Sequence, residues 1–223
     1  MDSRPSTILF DLDGTLCTYD RPGSAVLSAA FDRLGIDPCF SMHQFHDRYV
    51  ELLPDCADGF ELYERTFAAL LEDHGGDPDL AADLTRAFYD ERDPGDLEAI
   101  EGAESVLPSL ATEYRLGLVT NGHPELQRRK LRAIGLSDAF ETVVFAGYET
   151  APKPDPEPFD RALSAIDATP DEAVYVGNRP AIDVAGARAA GVRAAWLATG
   201  DRRPEPRPDY VLESIRDLER PPW

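Results

Sequence analysis

The sequence predicts an α/β fold: a doubly wound parallel sheet, interrupted near its start by a helical insertion. Three observations predict it. A short apolar run, Ile8-Leu9-Phe10, ends in Asp11-Leu12-Asp13-Gly14-Thr15-Leu16, as a buried strand does when it stops in an acidic turn. Helical periodicity alone then fills the chain to about residue 92. Beyond about residue 95, short apolar runs alternate with helical patterns, the rhythm of a parallel sheet covered on both faces.

Each element has its own signal. After the first strand, Val26, Leu27, Ala30, Phe31 and Leu34 form an apolar stripe ended by Gly35. Phe45, Tyr49, Leu52 and Leu53 form a second, opened by Ser41 and stopped by Pro54. Tyr63, Phe67, Leu70 and Leu71 form a third that runs to Gly75-Gly76. Leu80, Leu84, Ala87 and Phe88 form a fourth, begun by Asp77-Pro78. Four such helices predict a small bundle whose aromatics are core. Glu91 to Asp96 reads as the return linker.

Strands are then predicted at 115–120, 142–146, 173–176 and 193–197, with helices at about 124–134, after Asp155-Pro156, and at about 181–190. A Pro-rich loop from Arg202 to Pro208 precedes a last short strand and helix. The expected organisation is a Rossmann-like core, residues 1–16 and 95–223, with a four-helix-bundle cap over 17–94.

Composition bounds the function. The 223 residues carry 42 acids against 22 bases, a net charge of −20, which disfavours nucleic acid and anionic membranes as partners. Only Lys130 and Lys153 among the bases are lysine. Acid-rich, lysine-poor composition is similar to that of cytosolic proteins from salt-accumulating halophiles. Molar salt shortens the Debye length to about 3 Å and screens such self-repulsion. Cys17, Cys39 and Cys56 match no zinc spacing and read as reduced structural thiols. His43, His46, His74 and His123 lack metal-ligand spacing and are expected at the surface. No apolar stretch reaches membrane-spanning length, and no signal peptide is read, so a cytoplasmic protein is expected.

The chemistry concentrates at predicted strand ends, where open α/β sheets bind their ligands. Side chains alternate along a strand, so Asp11 and Asp13 lean the same way and repel unless a cation intervenes. Magnesium takes oxygen ligands and enters through one or two carboxylates plus substrate phosphate. One carboxylate is then placed to attack phosphorus and the other to shuttle a proton. Thr120-Asn121-Gly122, after an apolar strand, offers a hydroxyl and backbone amides to a phosphoryl oxygen. Lys153 lies among three prolines, Pro152, Pro154 and Pro156, as a compact cation held in a stiff loop.

These segments, with Val174 to Asp183, resemble in order the four motifs of the haloacid dehalogenase superfamily, most of whose members are phosphatases. The helical insertion after the first motif fits the subgroup capped at that point. The resemblance implies Asp11 as nucleophile and magnesium ligand. It implies Asp13 as general acid/base that also gives its backbone carbonyl to the metal. It further implies Thr120 and Asn121 as phosphate binders, Lys153 as the charge-neutralising cation, and Asn178 with Asp183 completing the Mg2+ site. One departure stands out: the family's first acidic position in the fourth motif is Asn178 here, and Arg179 replaces a small hydroxyl residue. The expected substrate is a small-molecule phosphate monoester. Asp20, Arg21 and the Pro54–Gly59 turn are candidates for reading its leaving group. Two rivals are weighed. A 2-haloacid dehalogenase attacks carbon and generally lacks an acid at the Asp13 position. A non-catalytic phosphometabolite-binding protein finds support only in Asn178.

Overall fold

The computed structural model describes residues 4–92, 97–198 and 204–223. Its central strand, β1 (Thr7–Phe10), is buried at every position and runs parallel to a neighbour on each side. On one side lie β4 (Arg115–Asn121) and then β5 (Thr142–Ala146); on the other lie β6 (Ala173–Gly177), β7 (Arg193–Leu197) and β8 (Tyr210–Leu212). The sheet order is β5-β4-β1-β6-β7-β8, and every pairing in it is parallel. Burial on both faces explains why β1, β4 and β6 read as continuous apolar runs instead of alternating ones.

The chain leaves β1 for one side of the sheet and later returns to the other, so strand order reverses at β1. Such a switch point opens a crevice at the strands' carboxyl ends. The register sets the three strand ends nearly level. Phe10 lies opposite Leu118 and Val176, and the Asp11 amide donates to the Val176 carbonyl at 2.9 Å. Asp11, Thr120 and Asn178 therefore all emerge at one end of the sheet.

The structure divides into two compact units, Met1–Thr18 with Ala99–Trp223, and Tyr19–Glu98. The second holds α1 (Gly23–Leu34), α2 (Met42–Leu52), α3 (Gly59–Asp73) and α4 (Ala81–Glu91). Gly35 ends α1 in the left-handed conformation, and Ser41 with Gln44 opens α2 through a capping box. Phe31, Phe45, Phe67, Leu70, Leu84 and Phe88 fill this unit's core. The predicted return linker falls largely outside the described residues, as does part of the Pro-rich loop.

Several elements differ from the sequence reading. Two three-residue strands, β2 (Cys17–Tyr19) and β3 (Leu97–Ala99), pair as a separate ribbon. Runs this short carry no detectable period. Helix α5 (Ala103–Leu110) contains Pro108, which disguises it as a break. After α6 (Pro124–Ala133) and α7 (Glu157–Ala165), the predicted 181–190 helix begins as a π-helical turn, Pro180–Val184, before α8 (Ala185–Ala189). The last predicted helix is a 3-10 turn, Ile215–Glu219.

Candidate active site

Asp11 is the first residue past β1, and its side chain is buried. Leu12 carbonyl then accepts from the amides of Thr15, Leu16 and Cys17, winding the acidic segment into a tight loop. Gly14 makes that loop possible. Its φ is +78°, and a Cβ there would lie 2.1 Å from Asn178 Nδ2, so any side chain would collide with the fourth motif.

Lys153 sits between two buried carboxylates. Its Nζ donates to Asp11 Oδ1 and to Asp183 Oδ1, each at 2.8 Å, and to the Tyr175 hydroxyl at 2.5 Å. An ammonium has three protons, and these three acceptors match them. The Tyr175 hydroxyl in turn donates to the Val119 carbonyl at 2.9 Å. Burial opposes the charge on Lys153, but Asp11 and Asp183 more than offset it and hold the ammonium above the ordinary lysine range. The balance falls the other way for Asp11. Burial, with the nearby charges of Asp183 and Asp13, outweighs Lys153 and pushes its carboxyl up to about 6.

Asp183 reaches this position because residue 177 is glycine, where a Cβ would stand 2.5 Å from the Asp183 Cβ. Its Oδ2 accepts from the Arg179 amide at 2.9 Å, so both carboxylate oxygens are engaged within the chain. The sequence reading gave Asp183 to the metal. The structure gives its carboxylate to Lys153 and the Arg179 backbone. Asn121 is similarly committed. Its amide donates to the Lys153 carbonyl at 3.0 Å and accepts from the Lys153 amide at 2.9 Å. Its side chain therefore holds the lysine loop in place.

Asp13 is far more open, its side chain 44% exposed against 8% for Asp11. Both of its oxygens have donors from α6: Lys130 Nζ to Oδ1 at 2.6 Å and Gln127 Nε2 to Oδ2 at 2.8 Å. Gln127 also donates to Thr120 Oγ1 at 2.6 Å. The sequence reading missed Gln127, Lys130 and Tyr175. One signal was available for Lys130, its rarity: it is one of only two lysines in the chain, and the structure sets each of the two against one acid of Asp11-Leu12-Asp13.

Oxygen donors for a cation remain on the other side of Asp11. Thr15 Oγ1 lies 3.4 Å from both Asp11 Oδ2 and Asn178 Oδ1, which places those two oxygens on a common neighbour. Asn178 is fixed from behind by its carbonyl, which accepts from the Trp196 indole at 3.0 Å. Among the described residues, no three His, Cys, Asp or Glu side chains converge in metal-binding geometry. A carboxylate, an amide oxygen and main-chain carbonyl oxygen are nonetheless hard donors of the kind magnesium takes, completed by waters and phosphate. The residues present fit that ion.

His123 is not at the surface as expected. It is buried, caps α6 by accepting from the Glu125 amide, and meets Tyr148 edge-on. Cys17 is buried against Leu12, and burial pushes its thiol well above the ordinary range, which suits packing and not nucleophilic attack.

Comparison with known proteins is consistent with this geometry. A family profile described as haloacid dehalogenase-like hydrolase matches residues 5–191. A phosphoserine phosphatase of Thermus thermophilus is 42% identical over 158 residues, covering 70% of this chain. The match spans only 63% of that relative's length. Pyrophosphatase PpaX of Listeria monocytogenes serotype 4b is 30% identical over 226 residues, covering 98% of this chain and 96% of the relative. Among solved structures, a 2-haloacid dehalogenase from Pseudomonas syringae pv. Tomato superposes with a TM-score of 0.63 at 27% identity, covering 96% of each chain.

Proposed function

The chain belongs to the haloacid dehalogenase-like hydrolase family, and on that premise we propose that it is a magnesium-dependent phosphatase of small phosphate monoesters, working through an aspartyl-phosphate on Asp11. The observation that carries the reading is the pair of unlike acids at one strand end. Asp11 is buried and tied to Lys153, whereas Asp13 is open to a ligand and held by Lys130 and Gln127.

Asp11 attacks phosphorus in line, and the bond to the leaving oxygen breaks as the Asp11–phosphorus bond forms. Lys153, pinned by Asp183, Tyr175 and Asn121, stays in place to offset the charge gathered around Asp11. Thr120, with the backbone amides of the loop after β4, binds phosphoryl oxygens. Asp13 enters the first step as the carboxylic acid and gives that proton to the departing alkoxide; the resulting carboxylate, held by Lys130 and Gln127, then takes a proton from the water that hydrolyses the aspartyl-phosphate. Asp11, Asn178 and the Asp13 carbonyl would hold magnesium, which supplies Lewis-acid charge stabilisation at the phosphoryl group.

Asp13 also separates this reading from dehalogenation, the activity in the name of one similar structure. A carbon-centred displacement of halide needs no proton delivered to a leaving oxygen, so an acid built into this position points to phosphate esters. The test is phosphate release from a panel of phosphate monoesters, with magnesium and with excess chelator. Magnesium-dependent release that disappears in Asp11→Asn supports the reading. Halide release from 2-haloacids without phosphate release, or no turnover at all, refutes it.

A further inference from the structure

We propose that Gln127 and Lys130 are positioning residues for Asp13: a clamp on α6 that orients its carboxyl group for proton exchange with the leaving group and ties it to Thr120. The proposal rests on the phosphatase reading and deepens it.

The geometry starts from helix periodicity. Residues three apart share a helix face, so Gln127 and Lys130 present together one turn inside α6. Pro124 and the His123 cap start that helix directly after the Thr120-Asn121-Gly122 loop, so the loop's geometry sets where this face points. Each residue takes a different oxygen of Asp13, Lys130 at 2.6 Å and Gln127 at 2.8 Å. Two donors on two oxygens fix both the rotamer and the plane of a carboxylate, where a single contact leaves it free to turn.

Gln127 does more than hold Asp13. Its amide nitrogen has two protons, and its two short contacts are Asp13 Oδ2 and Thr120 Oγ1, 2.8 and 2.6 Å away. The reverse orientation, with the amide oxygen there, would set an acceptor against the Asp13 carboxylate. Because Thr120 accepts from Gln127, its own hydroxyl proton is turned toward other partners, as a phosphoryl binder requires. Gln127 and Thr120 are both buried, so water does not replace the bond between them when Gln127 is removed. Lys130 is less enclosed, with 19% of its side chain exposed, and its ammonium is held beside the open face of Asp13. In a chain that otherwise uses arginine, a compact single-point cation at this position suits a carboxylate that must also meet substrate.

The test uses Lys130→Met and Gln127→Met, each alone and combined with Asp13→Asn, on an alkyl phosphate and on para-nitrophenyl phosphate. Misplacing a reacting group by about 1 Å costs up to about 100-fold. Lys130→Met is therefore expected to lose about 10–100-fold in kcat on the alkyl ester with KM little changed, and Gln127→Met to lose as much in kcat and also to raise KM, because Thr120 loses its partner. Para-nitrophenolate needs little protonation, so the loss on that ester should be much smaller. Because the clamp acts through Asp13, Lys130→Met should cost almost nothing further in the Asp13→Asn background. Equal kcat losses of Lys130→Met on both esters, or its full additivity with Asp13→Asn, would overturn the clamp. Thermal melts check folding, and Gln127→Met provides a second arm that keeps side-chain volume and charge. Phosphate release that persists in Asp11→Asn would instead bring down the phosphatase reading, and the clamp with it.

Discussion

Asp183 is the buried counter-ion of Lys153. The two meet at 2.8 Å with each side chain about 1% exposed, and Asp11 takes the same ammonium from the other side. The cluster therefore holds two carboxylates and one cation with little exposure to solvent, Asp11 alone facing outward. Its surplus negative charge is one that the divalent cation of the proposed mechanism would offset.

The imbalance makes the three charged members unequal in their effect on stability. Lys153→Met leaves two buried carboxylates with no counter-ion, and removal of one partner from a buried pair costs about 3–5 kcal/mol. Asp183→Asn leaves Asp11 and Lys153 as a balanced pair and loses mainly hydrogen bonding, about 1–3 kcal/mol. Urea unfolding in excess chelator should rank Lys153→Met well below Asp183→Asn. Equal destabilisation would show that the charge count does not govern this cluster.

Asp11 gives the corresponding pH dependence. Its carboxyl is raised from 3.8 to about 6 in the folded protein, chiefly by burial. Between those values the folded state binds the extra proton, so this contribution is fully present below about 3.8 and lost as pH rises through about 6. Asp11→Asn removes the burden of a buried charge as well as the nucleophile. In chelator at pH 7 the variant should melt no lower than wild type while releasing no phosphate. A variant that melts clearly lower would mean that ionised Asp11 stabilises the metal-free fold.

Much of this was legible in the sequence, and the reasons are local. The acids after β1 follow an unbroken apolar run, and the later strands repeat that pattern, so both the sheet and its acidic end can be read from periodicity. Lys153 was legible because lysine is so rare in this chain. Tyr175 was not, because within Ala173–Gly177 it looks like one more apolar strand residue until the sheet brings Lys153 to its hydroxyl. Gln127 and Lys130 sit in a polar stretch, Gln127-Arg128-Arg129-Lys130, that reads as a solvated helix face. Only the tertiary packing of α6 brings them to Asp13, 114 and 117 residues away in sequence. The spacing that singled out Asp183 did not show that it joins the lysine, because motif order does not say which way a carboxylate turns.

Net charge predicts a response to salt. Surface pairs such as Arg33–Asp90 and Arg86–Asp83 are worth about 0–1 kcal/mol each and weaken in salt. Against them stands the repulsion among 42 acids facing 22 bases, which salt screens. With the acids nearly twofold in excess, repulsion is the larger effect. The melting temperature should rise from low to molar potassium chloride. A flat or falling melting temperature would remove the halophilic reading of the composition.

Asn178 tests how the site manages its cation. Its Oδ1 shares Thr15 as a neighbour with Asp11 Oδ2, and its carbonyl is anchored by Trp196, so the side chain is already placed beside the nucleophile. What it lacks is charge. Changing a group that merely supports a metal ligand alters affinity about 10–100-fold, and adding a full charge to a donor should matter at least comparably. Asn178→Asp should therefore tighten magnesium binding by about tenfold or more, read as half-saturation of phosphate release and independently by calorimetry on the substrate-free protein. Asp183→Asn should change magnesium affinity much less, because both Asp183 oxygens already serve Lys153 and the Arg179 amide. Unchanged affinity in Asn178→Asp together with a collapse in Asp183→Asn would reverse these assignments, making Asp183 the ligand and Asn178 a neighbour.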